Sequence, residues 1–157
     1  MVDELTQAIE EWAKLTNQIG EIALQARKLL DQLANALSVK KPGFRPEELT
    51  VKVSEGDFAV TLYIQGDGTI EFYSSDNIVT YLEEKLGFKI HEAKFPRYHF
   101  RPLATLVFLV DHASQFTGKL KDEISFVEKR KLDLEGLLKQ YSDTVKPLLI
   151  AQQLQES

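Results

Sequence analysis

The sequence predicts an α+β fold: long amphipathic helices at the N- and C-terminal ends bracket a small antiparallel sheet of about four to five strands. Three observations lead there. Apolar residues recur in alternating steps of four and three from Leu5 to Leu37, in steps of two between Leu49 and Tyr73, and in steps of four and three again from Leu120 to Leu148. A spacing of 3.5 describes one helical face, and a spacing of two describes one face of a strand.

The first helix is expected over residues 1–38. Leu5, Ile9, Trp12, Thr16, Ile19, Ala23, Ala26, Leu30, Leu33 and Leu37 form its seam, and Leu15, Ile22 and Leu29 widen it. A stripe this wide suits a bundle, or a helix laid on a sheet, better than an isolated two-stranded coil. Asp3 and Glu4 sit at the favourable end of the helix dipole. Residues 39–47 read as a linker, because Pro42, Gly43 and Pro46 forbid continued helix.

Residues 48–112 read as the α/β core. Leu49, Val51 and Val53 alternate with polar residues up to a turn at Gly56, Phe58 to Ile64 alternate likewise, and Gly66-Asp67-Gly68 leads into a third strand ending at Tyr73. Ser74, Ser75 and Asp76 offer caps for a short helix with Ile78, Val79, Leu82 and Leu86 on one face, stopped by Gly87. Phe88 to His91 resumes a period of two and predicts a fourth strand. Residues 103–110 are apolar on both faces, which fits a central strand or a buried helix opened by Pro102; the Val and Phe content points to strand. A second long helix is expected over 117–155, with Lys131 as the polar residue in its seam and Pro147 kinking or breaking it. The whole, 1–157, reads as a single domain.

Composition narrows the function classes. A net charge of -5 argues against wholesale nucleic-acid binding. The chain has no cysteine, which excludes disulfides, thiol nucleophiles and cysteine-ligated metals and fits a reducing compartment. The acidic start is unlike a secretory signal, and the densest apolar run, 106–110, is too short to cross a bilayer. The cytoplasm is therefore the expected location, with no membrane association.

Catalytic and cofactor motifs are not apparent. His91, His99 and His112 lack metal-ligand spacing, so no metal is expected. Ser114 lies near Asp111 and His112 but without a nucleophile elbow, and reads as a turn. The carboxylate pairs Glu10-Glu11, Glu47-Glu48, Glu83-Glu84 and Asp122-Glu123 read as solvated faces. Gly66-Asp67-Gly68 lacks the following helix and lysine of a phosphate cradle. No enzyme activity and no cofactor are expected.

One segment departs from the acidic average. Between residues 89 and 101, Lys89, Lys94, Arg97 and Arg101 face a single carboxylate, Glu92, and are interleaved with Phe95, Tyr98, His99 and Phe100. Cations attract phosphate or carboxylate, and rings offer stacking platforms, so Lys89, Lys94, Arg97, Tyr98 and Arg101 are the candidate partner-binding residues. In the plainer reading the rings are buried and the cations solvate a loop edge that would fold as well without charge. The reading that follows is a non-enzymatic interaction or assembly protein. Its helix seam (Leu5, Ile9, Trp12, Ile19, Leu30, Leu33, Leu37) would hold a homo-oligomer, a dimer first, or another protein. The alternative is a nucleic-acid-associated accessory protein that binds through 89–101.

Overall fold

The first seam divides along its length. In a computed structural model, which describes residues 1–156, helix α1 spans Val2–Leu37. Its C-terminal half lies against the rest of the unit: Ala23 and Ala26 are buried, and Ile19, Leu30 and Leu33 are half-buried. Small residues allow this close approach. A Cβ added to Gly20 would stand 3.0 Å from the Phe95 ring. The N-terminal half of the same seam has no such cover, and Leu5, Ile9 and Trp12 are 61, 58 and 60% exposed.

The helix ends in a clamp to the sheet. Ser38 Oγ donates to Ala34 O at 2.7 Å and accepts from Ile70 N at 2.9 Å, so one hydroxyl caps the helix and anchors a strand. Val39 N then donates to Gly68 O at 2.9 Å.

Three strands form the sheet: β1 (Leu49–Glu55), β2 (Phe58–Ile64) and β3 (Ile70–Ser74), antiparallel in the order β1-β2-β3. Val53 pairs with Val60 and Val51 with Leu62, so the alternation places these apolar side chains on one face. Helix α2 (Ile78–Leu86) follows, stopped as expected by Gly87 in the left-handed conformation at φ 82°. The expected serine cap is not used. Asn77 precedes the helix without a side-chain cap, because Ser75 Oγ accepts from Ala59 N and Ser74 serves Arg101.

Two predicted strands are absent, which leaves three rather than four or five. Ile90–Ala93 is a 3₁₀ turn, and its Ile90 amide donates to the Glu83 carboxylate, outside any strand ladder. A second 3₁₀ turn, Arg97–Phe100, leads into helix α3 (Arg101–Asp111). Pro102 opens α3, and the chain is apolar all round because Ala104, Thr105, Phe108 and Leu109 are buried while Leu103, Leu106 and Val107 are half-covered. Burial has overridden the strand preference of Val and Phe. Val53, Val60, Ile78 and Phe108, each at most 1% exposed, form the centre of the core. Burying such a side chain stabilises by about 1.5–3 kcal/mol.

After a break at His112, helix α4 runs from Ala113 to Glu156 and continues through Pro147. Its first turn, ending in buried Phe116, belongs to the compact unit Met1–Phe116; a second unit begins at Thr117. In that second unit Ile124, Val127, Leu134, Leu138, Tyr141, Val145 and Leu148 are all exposed, while Lys131 pairs with Glu135 at 3.4 Å.

The clamp at the end of α1 makes Gly68 irreplaceable. Its φ is +86°, and a Cβ there would stand 2.0 Å from Val39 O. Gly68→Ala is expected to cost about 2 kcal/mol or more, read as a lower denaturant midpoint. An unchanged midpoint would contradict the clamp.

Candidate functional site

A groove of about 710 Å³ lies between α1, β3 and the chain leading into α3. Gly20, Ala23, Leu24 and Arg27 form the helical wall, and Phe72 and Tyr73 come from β3. The opposite wall carries Phe95, Tyr98, His99 and Arg101. Tyr98, 71% exposed, has its ring 4.2 Å from that of His99, and Phe95 meets Phe100 edge-on at 5.8 Å. The groove is therefore largely apolar and ring-lined, with guanidinium groups on its rim.

A buried carboxylate fixes the wall in place. Glu83 is 8% exposed and receives the Ile90 amide at 2.7 Å and Arg97 Nη2 at 2.5 Å. The Arg97 hydrogen bond, helped by the Ile90 amide against the opposing effect of burial, holds the Glu83 carboxyl below the usual carboxylate range. The same bond raises Arg97 further. Arg101 donates from Nε to Ser74 Oγ at 2.9 Å and from Nη2 to Ser74 O at 2.5 Å, with the Asp76 carboxylate 3.6 Å from Nη1.

The five candidate binding residues thus part company. Tyr98 and Arg101 line the groove, Arg97 turns away to Glu83, and Lys89 and Lys94 are exposed outside the lining. Both arginines hold elements of the fold together, so the charges do more than solvate a loop edge. Lys94 marks the bend between the two 3₁₀ turns at φ 61°, where a non-glycine residue is uncommon. Arg27, Phe72 and Tyr73 complete the groove from distant sequence. Arg27 lies on α1 outside its apolar seam, and no local motif joins it to residues 95–101.

A second polar cluster ties α2 and β1 to the end of α3. Asp111 Oδ2 accepts from Tyr81 at 2.6 Å and Lys85 at 2.5 Å. The Lys85 bond, then that of Tyr81, holds the Asp111 carboxyl low, while burial and Asp111 raise the Tyr81 phenol. His112 faces Glu55 Oε2 at 2.7 Å through Nε2 and Phe108 O at 2.9 Å through Nδ1. Both partners are acceptors, so the imidazolium satisfies both contacts at once and a neutral ring only one. Among the described residues Ser114 has no hydrogen bond to Asp111 or His112, and no three His, Asp or Glu side chains converge as metal ligands. No helix among them is long and apolar enough to cross a membrane.

Comparison with family models, curated proteins and solved structures gives no match.

Glu83→Gln tests the role of the carboxylate. Solvent reaches the outer side of Arg97, so the loss at pH 7 is expected to be about 1–2 kcal/mol. Because the native carboxyl titrates below its unfolded value, its contribution is present at neutral pH and lost as pH falls through the native value. Denaturant titrations should show the variant and unmodified protein converging in acid, once pH falls below the lowered native range of the carboxyl. A gap that persists in acid would assign the loss to packing instead.

Proposed function

We propose that the protein is a non-enzymatic interaction and assembly protein that self-associates through the apolar faces of its long helices. The observation that carries this reading is the exposure of seam residues on both: Trp12 at 60% on α1 and Leu134 and Leu138 at 67 and 71% on α4. Soluble chains rarely leave contiguous apolar stripes of this length in water, because covering them is favourable. A second copy is the simplest cover, since two-fold symmetry lets one patch meet its own image.

The α4 stripe also has the pattern of a two-helix seam. Ile124 and Val145 are β-branched at one repeating position, which Leu138 shares, and Leu120, Leu134 and Leu148 occupy the other with Val127 and Tyr141; β-branched residues at the first and Leu at the second favour two strands. Lys131 stands at the first position, where one polar residue selects register at some cost in stability. The nucleic-acid reading has less support, since Arg97 and Arg101 already serve Glu83 and Ser74. With its cysteine-free composition, the reading places the protein in the cytoplasm.

Light scattering at micromolar concentration is expected to give about twice the 17.9 kDa chain mass. A mass of one chain, with and without added salt, would remove the reading.

A further inference from the structure

The apolar N-terminal third of α1 and the ring-lined groove beside its C-terminal half have matching lengths and opposite charge. Between residues 2 and 15, Asp3, Glu4, Glu10 and Glu11 stand against Lys14 alone. None of these four carboxylates has an ion pair among the described residues. The groove lining carries two guanidinium groups, Arg27 and Arg101, on facing walls, and no carboxylate among the described residues. Lys89, Lys94 and Arg27 likewise have no ion-pair partner among the described residues, and the one carboxylate paired with Arg101, Asp76, is fully exposed. Lengths agree as well. Leu5 to Leu15 and the groove wall from Gly20 to Leu30 are each eleven residues of helix, a rise of about 15 Å.

We infer that the groove is the dock for residues 2–15 of α1 from a second copy of this chain, with Trp12 entering between the rings. Two copies of α1 then lie antiparallel about a two-fold axis near Asn17 and Gln18, and each fills the other's groove. In that register Trp12 comes opposite Ala23, Leu5 opposite Leu30, and Ala8 opposite Arg27, which places Glu4 and Glu11, one helical turn to either side, within reach of the guanidinium. The contact is made twice, so each arm-in-groove contact needs to supply only about half of the roughly 1,200–2,000 Å² of a stable interface. Charge opposition fixes the antiparallel direction, because a parallel pairing would bring the four carboxylates of each chain against their own image.

This inference rests on the self-association proposed above, and its test separates the two. The absence of cysteine makes single thiols unique, so Gln7→Cys and Lys28→Cys, opposite each other in this register, are mixed and treated with a short bismaleimide while mass is followed by light scattering. The expected result is a covalent mixed dimer that Gln7→Cys with Glu47→Cys does not give. Glu11→Lys should weaken dimerisation on the order of tenfold, and Arg27→Glu in the same chain should restore it, since symmetry reverses both partners of each pair. Trp12, the one tryptophan, should shift its emission to the red on dilution and in Glu11→Lys. A non-covalent dimer without the 7–28 link, or one linked 7 to 7, overturns this docking and leaves self-association standing. A monomer removes both.

Discussion

The Glu83 carboxylate holds the part of the molecule that has no regular ladder to hold it. From Gly87 to Phe100 the chain makes two short 3₁₀ turns joined by a left-handed residue and one proline, Pro96, away from any strand partner. Glu83 projects from α2 into that segment and takes the Ile90 amide on one oxygen and Arg97 on the other. A buried carboxylate without such donors would be costly, and with them it fixes the chain at two points seven residues apart. Phe95, Tyr98 and His99 lie at or beside the second point, so the shape of the groove wall follows from this single acid.

The opposite wall depends on small side chains. Gly20, Ala23 and Ala26 bring α1 close enough for Phe95 to lie over Gly20 and for both alanines to be buried. Beyond Leu15 toward the N-terminus nothing in the unit covers the same seam. Each large apolar side chain left part-exposed there forgoes a share of the roughly 1.5–3 kcal/mol that full burial gives. The helix is thus built for two surroundings: Gly20, Ala23 and Ala26 let it approach its own chain closely, with Ile19, Leu30 and Leu33 half-buried beside them, while Leu5, Ile9 and Trp12 stay exposed.

How much of this was legible depended on whether local pattern or tertiary contact decided the outcome. The long helices and the three strands announced themselves by period, and Gly87 stopped α2 where a left-handed residue was needed. The period-two signal at Phe88 to His91 failed because Glu83 captured the Ile90 amide, a contact that no window of sequence displays. Residues 103–110 failed differently: a helix buried on nearly every side has no polar face, so its pattern cannot be told from that of a central strand. Ser74 and Ser75 resembled caps but were taken by Arg101 and Ala59, across gaps of 27 and 16 residues. The groove was half legible, through the basic and aromatic run; its other half, Arg27 and the β3 rings, came only with the fold.

The exposed third of α1 also has an energetic advantage that an isolated segment would lack. A free helix of about fourteen residues is marginal in water, because the first turn fixes several backbone angles for one hydrogen bond. Residues 2–15 avoid that step, since they extend a helix already nucleated by the docked half, where Ala23 and Ala26 are buried and Ser38 closes the end. In the proposed dimer the segment would therefore meet its partner already ordered, with little backbone entropy left to lose on docking. Its charges act in the same direction: carboxylates near the start of a helix are favourable to the dipole before any partner arrives, so Asp3 and Glu4 stabilise the free arm and remain available to a cationic surface. In the proposed docking, an apolar stripe on a rigid, acidic arm would meet a ring-lined groove that carries guanidinium groups, and that charge match would set the partner's groove apart from other apolar surfaces for exposed Leu5, Ile9 and Trp12.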